Sequence, residues 1–329
     1  MAAAQPTFDV HPGVGAMMLR LVAQRLLYVI PTIFVLTALL FFSVTTILGS
    51  PASMMLGEDA SPQAIAELNA TYGFDRPAWV QYVDWLSRAV HGDFGRSFTT
   101  REPVASAIGA ALPVTLELAF LSIALAALAA VTLNSLPEAR GITRPIVVAA
   151  NLVGIAMPNF VIGIALIFAL SVSLRWLPST GWVPWSQGLF EHLRHLVMPV
   201  LTLSAYYFGA FSLVYRAEVR EAYRRLYVRT ARSKGASETR VAFGHVLPNA
   251  VLPVITFAGL SMGQLIGGAV VTETVFSMPG MGRLFVGAIA GRDFPVMLAI
   301  GMLVVFGVVV MNLITDLLYR FVNPQIRLG

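Results

Sequence analysis

Few residues of this chain have both the type and the spacing that chemistry needs. Gly259-Leu-Ser-Met-Gly263 spells G-x-S-x-G, the elbow that presents a nucleophilic serine when an acid and a histidine follow later in the chain. The last histidine is His245, ahead of Ser261, so that order of triad does not arise. His192 and His195 in "EHLRH" stand three apart and offer two imidazoles, yet no H-E-x-x-H pattern accompanies them; ordinary interfacial histidines are expected. Glu117, Glu273 and Asp316 lie in or beside apolar runs, where acids are candidates for ion or proton handling. All three fall near the ends of those runs, where water or headgroups would solvate them, and this weakens a proton-coupled carrier. The chain has no cysteine, which excludes disulfides, thiolate metal sites and a thiol nucleophile. Its one lysine, Lys234, is preceded by Ser233, so no Gly-Lys-Ser/Thr phosphate cradle exists and any ATP must be bound by another chain. No catalytic, cofactor-binding or metal-binding residue is assigned.

The elements that would position these residues are membrane spans. Of 329 residues 57% are hydrophobic and 12% charged, against roughly 25% charged in soluble domains. About 20 apolar residues cross a hydrocarbon core at the helical rise, and six such blocks can be drawn: 26–48, 112–133, 146–174, 196–215, 247–271 and 294–318. Ten-residue alternating segments of a barrel are missing. The expected fold is therefore an all-α polytopic membrane protein with six transmembrane helices. The first block exceeds the usual apolar core of a signal peptide and follows an acidic Asp9, so cleavage is not expected; the stretch to about Met18 reads as a disordered lead. With the N-terminus inside, the inner segments carry fourteen Lys/Arg and the outer ones eight, which places both termini in the cytoplasm. The organisation is then a lead 1–25, a first span 26–48, an outer loop 49–111, a core 112–318 containing an inner segment 216–246, and a cytoplasmic tail 319–329.

Within that frame some positions stand out. "PAWVQYVDW" (77–85) carries Trp79, Tyr82 and Trp85 at helical spacing, and "RWLPSTGWVPW" repeats the Trp and Pro theme; interfacial anchoring is expected of both. Pro158 and Asn159 break the third block, freeing a carbonyl that lipid cannot satisfy; a packing kink and a water-lined path are both open. Gly259, Gly263 and Gly267 share one helix face, which lets another backbone approach. Gln264 beside them suits a helix interface or a pathway.

The segment Arg216–Val246 is different, with eight basic and three acidic residues. At about 2.5 kcal/mol per basic residue, burying those eight in lipid would cost roughly 20 kcal/mol, so the segment lies outside the bilayer. Ala222, Leu226 and Thr230 form one helical stripe, with Tyr223, Tyr227 and Ala231 beside it. Gly235 stops that helix, and Ser237 and Glu238 cap a second. The outline suggests a helix-turn-helix for nucleic acid, but spans pin both its ends to the membrane. A topology-holding loop needs no capped helices around a glycine turn; a docking element for a cytoplasmic partner fits better.

"YVRTARSKGASETRVAFGHVLPNAVLP" (227–253) resembles the cytoplasmic motif of binding-protein-dependent ABC importer permeases, E-A-A, three residues, Gly, nine residues, Ile, any residue, Leu-Pro. Gly235, Leu247, Pro248 and Ala231 fall on its Gly, Leu-Pro and second Ala, while Arg229, Thr230 and His245 depart from its Glu, Ala and Ile. "YVRTARSKG" with "HVLPNAVLP" is similar to the dipeptide, oligopeptide and nickel branch, as are "QRLLYVIPT", "YGFDRPAWVQYVDWL", "GDFGRSF", "AMPNFVIG", "ETVFSMPGMGRL", "RDFPV" and "NPQIR". The resemblance implies the type I ABC importer permease fold and a subunit that pairs with a second homologous permease, two cytoplasmic ATPases and an extracytoplasmic solute-binding protein. ATP and Mg would be bound by the ATPases, and no nucleic acid is involved. It also implies that Tyr227, Thr230, Ala231, Arg232, Lys234, Gly235, Ala236 and Glu238 couple to an ATPase; Pro158, Asn159 and Gln264 are translocation-path candidates. Peptides, nickel complexes and other peptide-like solutes all fit the branch. An uncoupled channel or secondary carrier and a membrane-embedded enzyme are the competing classes.

Overall fold

The computed structural model describes residues 14–48, 51–56, 60–135 and 143–322. Among them the regular structure is helical: α1 (Val14–Leu48), α2 (Pro51–Leu56), α3 (Pro62–Tyr72), α4 (Ala78–Val90), α5 (Val104–Ser135), α6 (Thr143–Ala156), α7 (Asn159–Leu166), α8 (Leu189–Ala222), α9 (Leu226–Ser233), α10 (Glu238–Val241), α11 (Leu247–Gly268), α12 (Val270–Val275), α13 (Met281–Ala290) and α14 (Phe294–Val322). A wide helical turn, Ala242–Val246, joins α10 to α11. Five helices are long and apolar enough to cross a membrane, and a sixth crossing exists if one bent pair is counted as a span. Helix α1 is already formed at Val14, earlier than a disordered lead to about Met18 allows; residues 1–13 lie outside the described residues, as do 323–329 of the expected tail.

The third expected span is not one rod. The chain bends by 118° between the helical stretches Pro145–Ala156 and Asn159–Ser173, because Pro158 (φ −59°, ψ 138°) is extended and has no N–H, and proline also disfavours helical geometry in Met157 before it. The two halves pack differently. A Cβ on Gly154 would lie 2.1 Å from the Ala205 carbonyl oxygen, and one on Gly209 2.7 Å from that of Asn151, so α6 crosses α8 backbone to backbone. The glycine face of α11 does the same against α14: a Cβ on Gly259 would meet Thr315 at 2.5 Å, and one on Gly263 would meet the Val308 backbone at 3.3 Å. Small residues permit this contact where water-driven burial is missing.

The main core lies where α5, α8 and α11 meet, around Leu118, Leu203, Phe211 and Leu265. A second core forms where α4 folds onto α1 and α14. There Tyr82 and Trp85 are buried against Phe41, and the Tyr82 hydroxyl donates to the Phe34 carbonyl at 2.9 Å. Of the aromatic trio only Trp79 is exposed. The expected interfacial anchor is therefore an internal brace, since two of its rings turn toward an apolar helix instead of a membrane surface.

Candidate functional site

The basic segment builds a hairpin at the end of α8. That helix stops at Ala222, and Tyr223–Arg225 form a turn in which the Arg224 and Arg225 amides donate to Glu221 and Ala222 carbonyls. Consequently Ala222 and Leu226 do not share a stripe: the turn resets the helical phase. Ala222 is buried whereas Leu226 is 76% exposed. The buried face is instead Val228, Val241 and Val246 with Ala222, flanked by Tyr223, Ala231 and Ala236. The hairpin thus has its own apolar seam, joining α9 to both α8 and the approach to α11.

Gly235 closes the turn. Its φ is +79°, which L-residues with a Cβ adopt only at a cost. The Ala236 amide donates to the Ala231 carbonyl (3.1 Å) and the Gly235 amide to the Arg232 carbonyl (2.9 Å). This pair of bonds, with Ala231 and Ala236 touching the same seam, is a Schellman cap. Ser237 accepts from the Arg240 amide and caps α10. Arg232 spans the turn: its Nε and Nη2 donate to the two Glu238 oxygens at 2.7 and 2.8 Å, and its guanidinium lies 5.5 Å from the Tyr223 ring centre. The Glu238 hydrogen bonds hold that guanidinium above its usual pKa, and burial raises that of the Tyr227 phenol.

Of the eight coupling candidates, Tyr227, Thr230, Arg232, Lys234, Gly235 and Glu238 are exposed, while Ala231 and Ala236 are half-buried and face inward. Two exposed apolar side chains stand outside that set, Leu226, which the sequence puts on a stripe with Ala222, and Phe243, 49% exposed. A lone leucine among arginines was the available signal. Pro158 is exposed at the break, Asn159 half-buried and Gln264 exposed; they sit in the spans, apart from the hairpin.

Two other polar groups contradict the sequence expectation, and a third lies outside it. His192 is not interfacial: its side chain is fully buried, its Nε2 lies 2.8 Å from Glu117 Oε1, and its Nδ1 lies 2.6 Å from the Val183 carbonyl oxygen. Each ring nitrogen thus faces an oxygen acceptor. Glu273 is not solvated at a span end but fully buried. It accepts from the Thr115 hydroxyl (2.6 Å) and the Arg283 amide (3.1 Å), so it caps the start of α13. Asp293, also buried, accepts from the Ser97 hydroxyl and the Phe98 amide, fastening "GRSF" of the segment between α4 and α5 to the head of α14. The burial follows from a long return of chain that one-dimensional distance to a span end does not register. Ser261 of the apparent elbow is buried within α11, far from the strand-turn setting a nucleophile needs.

Comparison with known proteins agrees with this architecture. Residues 122–328 match the family model described as binding-protein-dependent transport system inner membrane component, and residues 18–119 match that for the N-terminal part of such components. A glutathione transport system permease protein of Escherichia coli K12 is 38% identical over 318 residues, covering 94% of this chain and 99% of its own length. A putative peptide transport system permease protein of Brucella melitensis biotype 1 is 36% identical over 315 residues, covering 94% and 99%.

Proposed function

Since the chain belongs to the inner membrane components of binding-protein-dependent transport systems, we propose that it is one of two permeases through which an ATP-driven importer moves peptides or peptide-like solutes into the cell. Two cytoplasmic ATPases would supply the work, binding ATP and Mg, and an extracytoplasmic protein would deliver the solute. Glutathione and peptide permeases among the relatives support that solute class. Both termini and the hairpin 216–246 would face the cytoplasm.

The observation that carries this reading is the hairpin's construction. A floppy loop dissipates a push, whereas α9 is tied to its neighbours by a buried valine seam, a Schellman cap and a two-point Arg232–Glu238 bridge. Its outer face presents Leu226 and Tyr227 beside Arg229, Thr230 and Lys234. An apolar projection ringed by cations suits a cleft with an acidic rim on an ATPase. Displacement of α9 would pass through Val228 to Val241 and Val246, and so into α8 and α11 together. Rocking of those helices against a second permease would open and close a path, with Pro158, Asn159 and Gln264 as lining candidates.

A cysteine-free chain makes the test direct. Leu226→Cys should react with a membrane-impermeant maleimide in inverted but not right-side-out vesicles, and the two ATPases should protect it. Labelling from the outer side, or no protection by assembled ATPases, would overturn the assignment.

A further inference from the structure

Behind the hairpin a cleft of about 580 Å³ opens between the ends of α5 and α8, the start of α6 and the approach to α11. Its walls differ in chemistry. One is a stripe of α8 comprising Arg216, Val219, Arg220 and Tyr223, whose three- and four-residue spacing brings them to one helix face. The other is apolar, with Leu133 of α5, Val147 and Val148 of α6, and Phe243.

The two guanidiniums on that stripe have no carboxylate among the described residues. Glu221 is bridged to Arg225 at 3.2 Å. Glu238, the acid that lines the cleft, has both oxygens on Arg232. Arg216 is half-buried, so its charge is partly withdrawn from water with no carboxylate bridged to it among the described residues, an arrangement that favours an incoming anion. A small hydrated anion would leave the apolar wall unused. An amphiphile with a phosphate head uses both walls.

We propose that this cleft binds an anionic phospholipid, its phosphate between Arg216 and Arg220 and the upper part of one acyl chain along Leu133, Val147 and Val148. Basic pockets between spanning helices, at the level where a helix leaves the bilayer, are suited to such headgroups. Tyr223 joins the two sites: it lines the cleft and lies under the Arg232 guanidinium. A bound lipid would therefore brace the hairpin from behind. The inference requires only that α5, α6 and α8 meet a membrane, and it does not depend on the coupling role.

The test uses the assembled transporter in bilayers of phosphatidylethanolamine and phosphatidylglycerol, with retained lipid counted by native mass spectrometry. Arg216→Gln and Arg220→Gln should each lower phosphatidylglycerol retention about fivefold, Arg216→Lys should restore most of it, and Arg225→Gln, outside the cleft, should leave it unchanged. Unchanged retention in the Arg216→Gln/Arg220→Gln double variant, or an equal loss in Arg225→Gln, would overturn the site. Displacement of the lipid by inorganic phosphate alone would overturn the lipid assignment in favour of soluble phosphate. Because retention is read without transport, failure here is distinct from failure of the importer reading.

Discussion

Gly235 is where the coupling argument is most exposed to refutation. Its φ of +79° costs an L-residue with a Cβ roughly 1–2 kcal/mol, and a β-branched side chain sits at the upper end. No heavy atom lies within 4 Å of the Cβ position, so the chain itself offers no clash. Gly235→Val therefore acts inside this subunit through backbone strain, relieved by giving up the two cap hydrogen bonds to Ala231 and Arg232, each worth about 0.5–1.5 kcal/mol. Strain and cap are of equal size, so the hairpin should divide its time between closed and frayed forms. Global stability, about 5–15 kcal/mol, should absorb the change, leaving membrane insertion normal. If the turn also seats against an ATPase, the valine methyl groups enter that contact and the losses combine. We expect immunoblots of membranes to show wild-type amounts, and reconstituted complexes to lose solute-stimulated ATP hydrolysis and uptake. Gly235→Asn separates the two causes, since asparagine tolerates the left-handed region: recovery assigns the defect to strain, and a persisting defect to the partner contact. Normal stimulation and uptake by Gly235→Val would refute the reasoning.

Two further outcomes follow from the buried polar groups. His192→Leu leaves the half-buried Glu117 without its partner and should cost about 1–3 kcal/mol, seen as a lower melting temperature of the purified complex; adding Glu117→Leu should recover part of it. Gly280→Ala would place a Cβ 2.3 Å from the Glu273 carboxylate, which its bonds to Thr115 and the Arg283 amide prevent from withdrawing; a loss of roughly 1–3 kcal/mol should appear in the same melting measurement.

The hairpin was legible because each part of it has a local cause. Charge keeps Arg216–Val246 out of lipid, Gly235 supplies a left-handed turn, and Ser237 supplies a cap; none needs a distant residue. Leu226 was misplaced because helical phase was carried through Tyr223–Arg225, where the chain in fact turns. The glycine face of α11 was legible as a close-approach surface, although its partner α14 was not.

By itself the sequence determined the all-helical, membrane-spanning class, the basic segment 216–246, the proline break at Pro158 and the resemblance to a permease family, all of which rest on composition, spacing or neighbouring residues. Only the tertiary structure decided that Glu117 and His192 pair across 75 residues, that Glu273 caps α13, that Asp293 ties the α4–α5 connection to α14, and that Tyr82 and Trp85 brace α1. A buried polar group must find its partner wherever folding brings one, and the pairing depends on which helix faces meet. Apolar blocks that all look alike to a hydropathy pattern carry no record of which faces those are.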